Sequence, residues 1–392
     1  MDTTGSEKDG VYMDNAATSW PKPPSVVEAM VRYQERVGAS AGRGGYRRAV
    51  DASRVIFDAR RAVADLFGVA DSRRIIFTLN CTEALNLALR GWLEEGDHVV
   101  STSMEHNSVA RPLNHLRAER GIEVTYVRCS AEGFLDPDDV AAAITPRTRL
   151  VAVIHASNVC GAVNDVGAVG AICRERGVPF LVDAAQSAGS VPIDAEAMKI
   201  DFLAFPGHKG LLGPLGTGVL YVGPNVRPRP LYHGGTGTDS EKTLQPEVLP
   251  DYYEAGSHNA IGLAGLKAGC DFVADVTPAA MGEHKSRLAE RFAAGVGETP
   301  GVDYFGPKDF SRHAGVCSIR VAGMDAAEVG HRLDAEYGIM VRAGLHCSPL
   351  AHTTLGTIDT GTVRFSFGHY NTEEQVDAAV RALGKIARGE GR

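Results

Sequence analysis

Lysine is scarce in this 392-residue chain: nine of its 40 Lys and Arg residues are lysines. No apolar run approaches the roughly 18 residues of a membrane span. Basic residues do not outnumber acidic ones. Forty against 48 gives a formal charge of −8, which argues against a nucleic-acid or anionic-membrane surface. Residues Met1–Gly10 are polar and hold no apolar signal core, so a cytoplasmic location is expected. The seven cysteines, at 81, 129, 160, 173, 270, 317 and 347, include no C-x-x-C pair. That argues against a redox couple, a zinc knuckle or a disulfide framework. G-x-G-x-x-G, G-x-x-x-x-G-K-[ST] and H-E-x-x-H are also missing, which removes the common nucleotide and zinc signatures. What remains is 44 % hydrophobic and 22 % charged, an ordinary globular composition.

From about 50 to 265, short apolar strands alternate with helices. Val55, Ile56, Ala59, Val63, Leu66 and Phe67 recur at helical spacing. Strands are expected at Arg74–Thr78, His98–Thr102, Val124–Arg128, Leu150–His155, Val178–Val182 and Phe202–Phe205, with a helix over Glu83–Gly91. Such alternation predicts an α/β fold: a mainly parallel sheet flanked by helices. The last third mixes strands (Val316–Val321, Ile339–Arg342, Val363–Phe367) with helices, one opened by the capping box Thr372–Gln375. A smaller α+β domain is expected there. The division is a large domain over 20–270 and a small one formed by 1–19 and 271–392.

Open α/β sheets bind ligands beyond the carboxyl ends of their strands. The residues at those ends are Thr82, His106, Asn158, Asp183, Gln186, His208 and Lys209. Each is unremarkable alone; Thr82 reads equally as a helix cap and His106 as a structural histidine. Together they suit a phosphorylated aromatic aldehyde. A lysine would hold the aldehyde, an acid the ring nitrogen, and a helix N-terminus the phosphate. Among the nine lysines only Lys209 directly follows an apolar strand and precedes a glycine cluster.

The motifs are MDNAAT (13–18), NCTEALNLAL (80–89), MEHNS (104–108), HASNVCG (155–161), LVDAAQSAG (181–189) and FPGHKGLLGPLGTG (205–218). They continue with YEAGSHN (253–259), VRAGLHCSPLAH (341–352) and VRFSFGHYNTEEQVD (363–377). With these the chain resembles the fold-type I, class V pyridoxal-phosphate enzymes, specifically their cysteine desulfurase/selenocysteine lyase group with an R-x-G-x-H-C loop. The resemblance implies pyridoxal 5'-phosphate as cofactor and a desulfurase converting L-cysteine to L-alanine. Lys209 would form the Schiff base, His106 would stack on the ring, Asp183 would pair with its nitrogen and Gln186 would contact its hydroxyl. Cys81 (through its backbone), Thr82 and His208 would hold the phosphate. Ser257 and the Gly234-Gly235 loop match segments that complete the partner's phosphate site, which implies a homodimer. Asn158 and Arg364, helped by Arg342, would hold the substrate carboxylate. Cys347 would carry the persulfide, with room for a sulfur-acceptor protein; no metal is implied.

Two of these roles have independent support. Val363, Phe365 and Phe367 share one strand face, so Arg364 points the other way and its fork suits a carboxylate. Cys347 sits in a Gly/His/Pro loop, with His346 and Arg342 near enough in sequence to favour a reactive thiol. Pro206 stands where the family carries Ser or Thr, and Leu345 replaces a histidine. A selenocysteine lyase, or a C–S lyase, epimerase or aminotransferase with Cys347 incidental, are the alternatives.

Overall fold

The computed structural model describes residues 10–42, 44–238 and 241–390. The stretch 1–9, read above as polar, lies outside the described residues. Seven strands form the larger sheet, in the order Ile75–Thr78, Gly218–Val222, Phe202–Pro206, Phe180–Asp183, Thr148–Ile154, His98–Thr102, Glu123–Val127. Gly218–Val222 pairs antiparallel with both neighbours, and the other pairs are parallel. The central strands are buried on both faces, and stretches 150–154, 180–182 and 202–205 accordingly read as continuous apolar runs. One core lies on each face of the sheet.

Gly218–Val222 is a strand that the sequence reading does not single out. Its apolar residues follow a glycine cluster that reads as loop. The glycine is needed at its start: a Cβ on Gly218 would sit 2.4 Å from the Asn80 carbonyl carbon. The start of this strand thus packs directly against the cap of the helix Cys81–Trp92.

A second sheet of four antiparallel strands runs Arg342–Gly344, Thr362–Ser366, Val316–Val321, Val302–Phe305. Helices Pro278–Gly297, Ala326–Tyr337 and Glu373–Ala387 cover its inner face, where Val363, Phe365 and Phe367 are buried. Gln375 and Thr372 form the capping box of the last helix. The expected strand Ile339–Arg342 is split. Ile339–Met340 pairs with Val11–Tyr12, and Arg342–Gly344 joins the smaller sheet. Val302–Phe305, with only part-buried or exposed residues, is a further strand that apolar patterning does not reveal.

The helix Arg47–Leu66 is joined to the segment 253–259 by one buried pair. Arg60 meets Glu254 through two 2.7 Å bonds, and Glu254 also accepts from the Phe77 backbone and meets His258 at 2.6 Å. Burial pushes the Glu254 carboxyl up. The charge of Arg60 and the bond from His258 outweigh that and hold it at about 2. Its contribution to stability is therefore complete above about pH 4.5 and lost as pH falls toward 2. Glu254→Gln leaves the Arg60 charge buried and unpaired. Urea unfolding at pH 7 should show a loss of about 3–5 kcal/mol, shrinking below pH 4.

Candidate active site

The helix Cys81–Trp92 opens one end of the site. Asn80 caps it, accepting from the Glu83 N–H at 2.9 Å, so Thr82 is not the cap. The first N–H groups of a helix have no carbonyl one turn back and carry the positive end of its dipole. The Thr82 hydroxyl lies 2.8 Å from that of Ser108, which is 2.9 Å from His106 Nδ1. His208 completes this end. Burial, with the charge of Lys209, holds its ring at about 4, and its buried Nδ1 has no hydrogen-bond partner. A neutral donor, a hydroxyl and a helix N-terminus converge where an anion would satisfy all three.

The other end holds Asp183 and Lys209. Asp183, the last residue of its strand, accepts from Ala185 N–H at 2.9 Å and faces the Cys81 thiol at 3.7 Å. Both contacts fall on Oδ1, which leaves Oδ2 for a ring N–H. Burial raises the Asp183 carboxyl and lowers the Lys209 amine, each toward its uncharged form. Burial also pushes the Cys81 thiol well up, with the Asp183 charge adding to it; that thiol is not a nucleophile. His106 is held at about 4, first by burial and then by Lys209 and nearby arginines. Its Nδ1 accepts from the Ser108 N–H at 3.0 Å, so the neutral ring keeps its proton on Nε2. Gln186 donates to the Ala16 carbonyl at 3.0 Å with one of its two amide protons.

Cys81, Thr82, His106, Asn158, Asp183, Gln186, His208 and Lys209, all singled out from the sequence, line one cavity together with Pro206. The unpartnered His208 Nδ1 and the open Asp183 Oδ2 fit the phosphate and the ring nitrogen of pyridoxal phosphate. The neutral His106 ring suits stacking.

Arg364, Arg342 and Cys347 belong to the smaller sheet and its loop, beside this cavity. Arg364 Nη1 donates to the Asn158 carbonyl at 3.2 Å, and its charge reaches Lys209 and His106. The Asn158 amide is engaged by the neighbours of Cys347. It donates to the His346 carbonyl at 2.7 Å and accepts from Ser348 Oγ at 2.7 Å. The Cys347 carbonyl accepts from the Asn107 N–H at 2.8 Å, next to His106. His346 does not reach the thiol: its buried ring points at Thr362 Oγ1, 2.9 Å away. Arg342 does, with Nη2 3.3 Å from Sγ.

Ser257 and Gly235 are exposed and lie outside the Lys209 cavity of their own chain; Gly256 N–H donates to the Gly235 carbonyl at 2.7 Å. The sequence reading assigns no role to three residues that the structure ties to the site. Ser108 bridges Thr82 and His106, Ser348 grips Asn158, and Asp14 pairs with Arg364. Their signal was membership of the quoted motifs, where small polar residues look like turn formers. Lys22 is a fourth: its Nζ donates to the His208 carbonyl at 2.7 Å.

All seven cysteines are free, and Cys347 alone is exposed. Native protein treated with iodoacetamide should therefore take up one equivalent quickly, mapped by mass spectrometry to the Cys347 peptide and absent in Cys347→Ser. Rapid labelling of Cys81 would contradict the burial described here.

The Aminotransferase class-V family pattern matches residues 11–379. A protein named "Probable cysteine desulfurase" from Methanothermobacter thermautotrophicus is 39 % identical over 387 residues, covering 97 % of this chain and 95 % of that one. A cysteine desulfurase from Haloferax volcanii is 34 % identical, covering 95 % and 88 %. Among solved structures, an apo cysteine desulfurase from Thermococcus onnurineus superposes with a TM-score of 0.91 at 35 % identity, covering 97 % and 96 %. The Escherichia coli cysteine desulfurase CsdA gives 0.87 at 30 %, covering 98 % and 96 %. With its fold, its lysine-bearing cavity and these relatives together, the chain belongs to the class V aminotransferase family, in its cysteine desulfurase branch.

Proposed function

We propose that this protein is a pyridoxal-phosphate-dependent cysteine desulfurase, converting L-cysteine to L-alanine and retaining the sulfur as a persulfide on Cys347. One observation carries the reading: the single exposed thiol is tied by hydrogen bonds beside the cavity that buries Lys209 and Asp183. Bound there, pyridoxal phosphate would act as an electron sink for the substrate Cα.

The chain's own groups divide the work. Lys209 would hold the cofactor, and its amine, lowered by burial and so suited to act as a base, would take the Cα proton. Asp183 would keep a proton on the ring nitrogen, and His106 would stack on the ring. Arg364 receives the substrate carboxylate. The Cys347 sulfur then attacks the substrate sulfur, with the Arg342 guanidinium beside it. An S–S bond forms as the substrate C–S bond breaks. The electron pair stays with the substrate, whose Cβ is protonated to give alanine. The net change is L-cysteine plus enzyme thiol to L-alanine plus enzyme persulfide.

Ser257 and Gly235, on an exposed edge away from their own cavity, support a homodimer in which they complete the partner's phosphate site. Among the described residues no helix is long and apolar enough to cross a membrane. Seven unpaired thiols support a reducing, cytoplasmic setting.

Cys347→Ala should keep the cofactor absorbance and the Cα-proton exchange of L-cysteine, yet form no alanine. The wild type should gain one sulfur on the Cys347 peptide. Normal turnover by the variant would instead favour a lyase that needs no protein thiol. Light scattering should give twice the chain mass; a fully active monomer would refute the shared site.

A further inference from the structure

Arg364 is a buried cation, with 1 % of its side chain exposed. Burial disfavours its charge, and Asp14 opposes that effect. Among the described residues Asp14 supplies the carboxylate paired with it, Nη2 meeting Oδ1 at 2.5 Å. Nη1 is held by the Asn158 carbonyl at 3.2 Å, while the buried Nε has no partner. The planar guanidinium is thus fixed at both of its ends, with donors left over.

Asp14 is itself fixed. It bridges to Ser366, two residues along the strand from Arg364, and its carbonyl accepts from the Tyr12 hydroxyl at 3.1 Å. The chain beyond it then crosses to the larger sheet. There Ser19 Oγ donates to the Lys209 carbonyl at 2.9 Å, and Lys22 Nζ to that of His208 at 2.7 Å. One short segment therefore ties Arg364 to the backbone of Lys209.

We propose that Asp14 is a positioning residue for recognition of the substrate carboxylate, holding the Arg364 guanidinium in the plane that receives it. This rests on the assignment of Arg364 to that carboxylate. The opposite role, a carboxylate that competes with the substrate for Arg364, predicts an effect of opposite sign.

The test compares L-cysteine with cysteamine, which has the same amine and thiol but no carboxylate, in holoenzyme carrying Asp14→Asn. Binding is read from the cofactor's absorbance. L-Cysteine should bind about tenfold more weakly, as for a charge-assisted hydrogen bond reduced to one with a neutral acceptor. Its KM should rise accordingly with kcat little changed, and cysteamine should bind as to the wild type. Equal weakening of both ligands would mark a merely structural role and overturn the proposal, as would unchanged or tighter L-cysteine binding. Arg364→Ala separates the two levels. If it binds L-cysteine like the wild type, the carboxylate assignment falls and takes this inference with it. If it weakens L-cysteine while Asp14→Asn does not, the role of Asp14 alone falls.

Discussion

An amine and a carboxylate buried in one cavity set the terms for the rest of this molecule. Burial drives Lys209 and Asp183 toward their uncharged forms, because a charge withdrawn from solvent is costly. The fold answers with fixed donors and fields. The Ala185 N–H and the Cys81 thiol bond Asp183, and Arg364 and Arg342 add positive potential around Lys209. The histidines of the cavity add no charge, since burial keeps both His106 and His208 at about 4. Two neutral imidazoles add no unpaired charge to a space that already buries an amine and a carboxylate.

That balance depends on where the parallel strands end. Strands buried on both faces accept few polar side chains, and those must be hydrogen-bonded within the sheet, so the chemistry gathers at their carboxyl ends, where the chain leaves the sheet. Asp183 is the terminal residue of one strand; Lys209 follows the end of another. The smaller sheet supplies what these ends lack: a guanidinium facing away from its core and a thiol in an exposed loop. Hydrogen bonds from Asn158 and Asn107 and the segment 14–22 hold the two sheets' contributions in one place.

Much of this was legible in the sequence because it follows from period and punctuation. The apolar runs located six of the seven strands of the larger sheet, and the alternation Val363, Phe365, Phe367 turned Arg364 outward from the core. Gly218–Val222 escaped because the glycines that let it approach Asn80 also look like loop. The partners of the site residues escaped for another reason. Asp14–Arg364 and Asn158–Ser348 join positions 350 and 190 residues apart, and nothing local encodes such pairings. The expectation that His346 serves the thiol failed similarly: adjacency in sequence does not fix direction, and the ring turned inward to Thr362.

The inward turn of His346 also explains how the loop keeps its shape. His346 and Cys347 both have positive φ, 49° and 60°, a conformation that costs a side-chain-bearing residue roughly 1–3 kcal/mol. Two such residues in succession persist only where their surroundings over-determine them. Here the His346 ring is anchored to Thr362, its carbonyl to Asn158, the Cys347 carbonyl to Asn107 and Ser348 to Asn158. These bonds arrive from both sheets, so the thiol's position is imposed from outside the loop. The Leu345 carbonyl accepts from the Ser348 N–H at 2.9 Å, but its side chain, in a residue 37 % exposed, takes no part in that frame. The side chain at 345 therefore shapes the outer surface beside the thiol and leaves intact the scaffold that presents it.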